Sequence, residues 1–173
     1  MHPFKHFLTV EKHRRLVRHY CFRLGLYRQG LTHDLSKFSP TEFLAGARYY
    51  QGTRSPNVCQ RELYGYSLAW MHHKGRNRHH AEFWFDLAPV RMPIRYLAEM
   101  VADRIAACRT YLGDKYYPGC ELDYLLRREA NIPLHPETRD LLIRLLTMLR
   151  DSGEDKTFAY LRRLLREERR KKG

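Results

Sequence analysis

Apolar residues recur along this chain every three to four positions, the helical period, and no stretch of useful length alternates as a strand would. Leu16, Val17, Tyr20, Cys21 and Leu24 form the first stripe, predicting a helix from about residue 3 to Leu24 that Gly25 ends. His13, three and four residues before Leu16 and Val17, falls on its buried face, and His19 lies off the stripe. After Gly30 and Thr32 a short helix is expected over His33-Asp34-Leu35-Ser36-Lys37-Phe38. Ser39-Pro40-Thr41-Glu42 then reads as an N-cap, a first-turn proline and a capping-box glutamate. That helix continues through Phe43, Leu44, Ala47 and Tyr50 to Gly52, and Gly52 to Asn57 is a polar loop. A further helix spans about Cys59 to Lys74, with Leu63, Tyr66, Trp70 and His73 on one broad face. His72 is about 100° away from His73, which predicts that the two do not enter the same pocket. Pro93 opens a helix to about Leu112 whose core face is Tyr96, Leu97, Met100, Val101, Ile105 and Cys108. Three more helices follow, over about Gly119–Ala130, Pro136–Asp151 and Glu154–Lys172. Leu141, Leu142, Leu145, Leu146 and Leu149 make the strongest stripe of all, and it reads as core packing.

Together these elements describe an all-α chain, residues 1–173 as a single compact domain of about seven to nine helices with short connections. A length of 173 residues suits one domain, and 43% hydrophobic with 13% aromatic residues is globular composition. No apolar run approaches the ~20 residues of a membrane span, and the first residues lack a signal-peptide h-region. Cys21, Cys59, Cys108 and Cys120 are far apart and form no CxxC pair. They read as reduced thiols of a cytoplasmic protein, and none reads as a metal ligand.

A formal charge of +13 favours an anionic partner. The charge is concentrated at the end of the chain, where Arg162, Arg163, Arg166, Arg169, Arg170, Lys171 and Lys172 face only Glu167 and Glu168. Such a tail is either a solvated helix end or a contact for nucleic acid.

The polar residues that interrupt the helical stripes carry the chemistry. On a helix, Lys37 would fall about 40° from His33 and about 60° from Asp34, so an imidazole, a carboxylate and an ammonium would share one sector. The run His72-His73-Lys74-Gly75-Arg76-Asn77-Arg78-His79-His80 concentrates four of the ten histidines in nine residues. Glu99 and Asp103, at i and i+4, put two carboxylates on one side of their helix. A lone buried histidine is usually packed or hydrogen-bonded, so His13 counts only in company with the others. His2, His6, His19 and His135 read as surface or packing residues, and Trp70 and Trp84 as core.

The order His13, His33-Asp34 with Lys37, His73, His79-His80 and Asp103 resembles the ligand order of the HD-domain superfamily of metal-dependent phosphohydrolases. His33 to Lys37 is similar to the HDxxK signature of its two-metal members. The segments THDLSKFSPTEF, HHKGRNRHHAEFW and MPIRYLAEMVADR also resemble a small bacterial and phage family of HD-type proteins. The likeness covers about residues 10–110. It implies that His13, His33, Asp34 and Asp103 hold one ion and that His73, His79 and His80 hold a second, with Asp34 bridging. His72 remains an alternative to His73. Asp34 and Lys37 would be catalytic, with Lys37 neutralising a phosphate oxygen. Arg76 and Arg78 would assist in binding phosphate, and Glu99 would orient a ligand. Imidazole and carboxylate donors suit one or two divalent transition-metal ions, Mn, Fe, Zn or Ni. The substrate would be a nucleotide or another phosphate ester. The spacing of six residues from His73 to His79 is shorter than the whole helix many two-metal members place there. No GYP signature follows, so cyclic dinucleotide cleavage is not implied. Two other functions share these features: an HD-type di-iron oxygenase, with the same ligand order, and a non-enzymatic nucleic-acid-binding helical protein, which the charge alone would serve.

Overall fold

Helix α1 (Pro3–Arg23) is the long central strut, with Val10, His13, Val17, Tyr20 and Cys21 on its buried face. A computed structural model describes residues 1–128 and 132–171, the Arg128 side chain excepted. After α1 come α2 (Tyr27–Thr32), α3 (Pro40–Arg48), α4 (Pro56–Tyr64) and α5 (Leu68–Lys74). These are followed by α6 (Ile94–Leu112), α7 (Cys120–Arg128) and α8 (Pro136–Arg170). Short 3-10 turns cover Leu35–Phe38, Ala81–Trp84 and Gly113–Lys115. The fold is all-α, eight α-helices in one compact domain among the described residues, with Phe85 and Pro89 forming an isolated bridge and no strand. None of these helices is long and apolar enough to cross a membrane.

Two layers of packing organise these helices. In the first, α1 lies against α2, α3 and α6, and α3 against α4 and α5. In the second, α6 and α7 lie against α8. The apolar core runs through both α1 and α6 into the leucine stripe of α8, where Leu142, Leu145, Leu146, Phe158 and Leu161 are fully enclosed. The two halves of α8 meet at Gly153, whose φ of 78° and ψ of 177° break the helix where a gap between two separate helices was expected. Glu154, just past that break, accepts hydrogen bonds from Arg23, Tyr20 and Arg109, tying the second half of α8 to α1 and α6.

Several boundaries differ from the sequence expectation. The single helix expected over Cys59–Lys74 is two, because Gly65 takes a φ of 76° and caps α4 before Ser67 caps α5. Leu63 and Tyr66 consequently do not share a buried face with His73, and both are more than half exposed. Helix α3 stops at Arg48 instead of reaching Gly52, and α4 begins at Pro56, within the expected loop. Helix α7 covers the expected segment from Cys120 to Arg128; the expected end at Ala130 lies outside the described residues. So does Lys172, the expected end of the last helix. The described part of the basic terminus is partly docked: Arg162 donates to the Arg23 carbonyl, and Glu168 accepts from the Ile94 N–H that opens α6.

Candidate metal centre

His33 and Asp34 do not lie on a helix. Helix α2 ends at Thr32, His33 is extended (φ −52°, ψ 127°), and Asp34 takes a left-handed conformation (φ 53°, ψ 26°) before the Leu35–Phe38 turn. The helical-wheel convergence of His33, Asp34 and Lys37 is therefore replaced by a sharp turn that reaches the same result. Asp34 is the one non-glycine residue with positive φ among the described residues. Aspartate tolerates this region better than most side chains, and such conformations concentrate at functional sites. Arg14 of α1 steadies the turn by donating to the His33 carbonyl (3.0 Å) and the Leu31 carbonyl (3.4 Å).

Asp34, only 1% exposed, stands at the middle of a histidine cluster. Its Oδ2 lies 2.7 Å from Lys37 Nζ, 3.4 Å from His33 Nε2 and 3.9 Å from His13 Nε2. Its Oδ1 lies 3.4 Å from His73 Nε2 and 3.4 Å from His79 Nε2. Asp103 supplies a second carboxylate, 2.9 Å from His13 Nε2, 3.6 Å from His33 Nε2 and 3.9 Å from His79 Nε2. Two donor sets result, and they share Asp34. His13, His33, Asp34 and Asp103 form one, and Asp34, His73, His79 and His80 the other, the atoms of each within 4.8 Å of one another.

Two buried glutamates turn the imidazoles toward these sets. Glu99 Oε1 accepts from His33 Nδ1 (3.0 Å) and lies 3.3 Å from His79 Nδ1. Glu42 accepts from His73 Nδ1 (2.7 Å) and from His72 Nδ1 (2.6 Å). An ionised carboxylate can only accept, so each of these Nδ1 atoms carries the proton, and the Nε2 atoms of His33, His73 and His79 face the centre. The Nε2 atoms of His13, His33, His79 and His80, together with Asp34 Oδ1, are buried and have no hydrogen-bond partner among the described residues. The 2.9 Å approach of His13 to Asp103 is thus a close contact without hydrogen-bond alignment. Buried polar atoms are normally satisfied, so five orphans distributed over two donor sets around Asp34 call for a ligand. Nitrogen lone pairs and carboxylate oxygens at this spacing can hold a metal ion.

The charges agree. Burial pushes the Asp34 carboxyl up, but His33, Lys37 and His73 outweigh it and hold the group well below the usual carboxylate range. Asp103 is likewise opposed by burial and held well down by His13 and His33. Burial lowers His33, yet Asp34, Asp103 and Glu99 raise its proton affinity well above normal. His80 is pushed well down by burial and by His79 and His73, which favours the neutral ring a metal requires.

Of the residues singled out in the sequence, His13, His33, Asp34, Lys37, His73, His79, His80, Glu99 and Asp103 are gathered here. His72 reaches Glu42 beside His73 but is in neither donor set, so the two adjacent histidines meet the same carboxylate despite their angular separation. Arg76 and Arg78 are not gathered. The turn after α5 points them outward: Arg76 is exposed and meets the His72 carbonyl, while Arg78 donates to the Tyr96 hydroxyl and stacks on Phe83. Asn77 between them turns inward, to Ser36 and the His73 carbonyl. A small cavity of about 40 Å³ opens instead on the Lys37 side, bordered by His6, His13, Lys37, Tyr50, Asn57 and Tyr111.

Glu42 is the main residue the sequence reading misassigned. Its backbone N–H does bond to Ser39 Oγ, as a capping box requires, but its carboxylate goes to the histidines. His6 and His135, expected as surface or packing residues, are respectively buried beside the cavity and the N-cap of α8.

No curated protein and no solved structure matches the chain. Residues 2–148 match a family described as "Family of unknown function (DUF5662)". That span takes in every residue of the two histidine–carboxylate sets, and the chain belongs to this family.

Proposed function

We propose that this protein is a metal-dependent phosphohydrolase of HD-domain type, acting on a nucleotide or another phosphate ester. The observation that carries this reading is the pairing of two donor sets through one shared aspartate, with a lysine ammonium 2.7 Å from that aspartate. Nitrogen and oxygen donors without thiolate favour Mn, Fe, Zn or Ni. When bound, a pair of such ions would acidify a water and screen the oxygens of a phosphoryl group.

The protein's own residues prepare this chemistry. Asp34 divides its two oxygens between the sets, and Asp103 completes the first. Glu99 and Glu42 lock the ring orientations, so the cost of ordering them falls before substrate arrives. Lys37 lines the cavity and offers its charge to a phosphate oxygen as negative charge develops there. At about 40 Å³ the cavity is far smaller than a nucleotide pocket, so only the phosphoryl end of a substrate would reach the centre, with the remainder outside. Lysine at this position favours phosphate chemistry over oxygen activation by the same ligands.

Elemental analysis of wild type and Asp34→Ala, paired with phosphate-release assays on p-nitrophenyl phosphate and a nucleotide panel, tests the reading. Wild type should carry one to two equivalents of a transition metal and release phosphate; Asp34→Ala should lose both while keeping its helical circular dichroism. Lys37→Ala should retain metal and lose turnover. Folded wild type that takes up none of Mn²⁺, Fe²⁺, Zn²⁺ or Ni²⁺ would refute the proposal. Metal-loaded protein that consumes O₂ and releases no phosphate would refute it in favour of an oxygenase.

A further inference from the structure

A second group of donors lies away from the histidines, between α6 and the start of α7. Cys108 of α6, Cys120 and Glu121 bring two thiols and a carboxylate within 4.8 Å of one another. Read singly along the chain these cysteines give no sign of ligation, since twelve residues and a turn separate them. The fold closes that gap through the Gly113–Lys115 turn.

Three features distinguish this group from an ordinary buried thiol pair. Glu121 is only 1% exposed, and while its Oε1 accepts from the Tyr116 hydroxyl (3.0 Å), its Oε2 is buried with no hydrogen-bond partner among the described residues. A carboxylate enclosed with one oxygen unmatched is costly unless a cation joins it. Cys120 is the first residue of α7 and its side chain is buried, so its sulfur is held where α7 meets α6. Cys108 is only partly buried, which leaves a path inward for an ion. Without a cation, the hydrogen bond to Cys120 and burial hold the Cys108 thiol protonated, and burial raises the Glu121 carboxyl.

We propose that Cys108, Cys120 and Glu121 form a separate site for a thiophilic divalent ion of the zinc class, a clip that fastens α7 to α6. Zinc binds thiolate at about 2.3 Å and carboxylate oxygen at about 2.0–2.2 Å, so tetrahedral donors stand roughly 3.3–3.8 Å apart. The three donors need to close by no more than about 1.5 Å to reach that geometry. A water would complete the coordination. The histidine–carboxylate centre lacks thiols, so the two sites differ in softness and in spectrum.

Cobalt(II) titration of the metal-free full chain separates them. Thiolate ligation gives an intense near-ultraviolet charge-transfer band that imidazole and carboxylate ligands do not. The band should appear in wild type and in Asp34→Ala, and zinc should abolish it by displacement. It should vanish in Cys108→Ser and in Cys120→Ser, and Glu121→Gln should weaken cobalt affinity about 10–100-fold. Zinc should also raise the melting temperature of Asp34→Ala and leave that of Asp34→Ala/Cys108→Ser unmoved. The titration of folded wild type is decisive even where a variant fails to fold: no charge-transfer band overturns the proposal. A band that survives in Cys108→Ser/Cys120→Ser overturns it too, as does a Cys108–Cys120 disulfide in place of metal binding.

Discussion

Helix α6 has two faces that solve opposite problems. Glu99 and Asp103 point to the histidines, while Leu97, Val101 and Ile105, about 120–160° around the helix from Glu99, point into the apolar core shared with α8. On the leucine side, burial itself is favourable, and each enclosed side chain contributes about 1.5–3 kcal/mol. On the histidine side burial is unfavourable, and every charge must be matched by another charge or an aligned donor. Stability therefore resides on one face and the candidate metal centre on the other. The polar face holds its shape because the apolar face clamps the helix that carries it.

The largest effect that tests this division is on the apolar side. Leu145 is fully enclosed, and Leu145→Ala should cost about 2–5 kcal/mol in urea unfolding of the metal-free protein. The added stability from saturating metal at the histidine centre, about 2.7 kcal/mol at a hundredfold excess over the dissociation constant, should be the same in Leu145→Ala as in wild type. Asp34→Ala should lose that increment at this centre. If Leu145→Ala also abolished the metal increment, the two faces would be one cooperative unit and the division would fail.

A smaller effect grades the polar side internally. Glu99 faces the Nδ1 atoms of two rings, His33 and His79, whereas Glu42 orients one ring of the donor sets, His73. Glu99→Gln should weaken metal affinity about 10–100-fold, and Glu42→Gln should sit toward the lower end of that range. Calorimetric titration with Mn²⁺ or Zn²⁺ measures both. Equal affinities in wild type and Glu99→Gln would remove the glutamates from any positioning role.

The same contrast explains what could be read in advance. The α8 stripe was legible because apolar periodicity is a local signal that local packing honours, as Leu142, Leu145, Leu146 and Leu149 show. His33, Asp34 and Asp103 stood out by residue type and order, yet the left-handed turn at Asp34 was not legible, because the helical pattern around it gave a plausible alternative. Glu42 was hidden by its own explanation. A glutamate three residues after a serine cap satisfies a local rule, and nothing local announces that histidines 30 and 31 residues away will claim its carboxylate. Gly65 went unread as a helix end because the apolar spacing continues across it. Cys108 and Cys120 converge only through the turn between α6 and α7, a purely tertiary event.

The smallest effect concerns His6, at the edge of the polar layer, where the ring is packed but no carboxylate claims it. It is 7% exposed, packed near Phe43 and Tyr50. Burial, and then the nearby Lys37 charge, lower its pKa from 6.5 to about 4. The unfolded chain takes up this proton as pH falls through about 6.5, while the folded protein resists until about 4. Protonation therefore favours unfolding across that window. The contribution of neutral His6 is complete above about pH 6.5, declines as pH falls and is flat below about pH 4. Other histidines titrate in the same range, so the informative quantity is a difference. The gap in urea midpoint between wild type and His6→Gln should shrink on going from about pH 7 to about pH 5, in Asp34→Ala as well as in the wild-type background. A gap that stays constant would mean that His6 keeps its ordinary pKa, and that the layer around Lys37 is more open to water than its packing indicates.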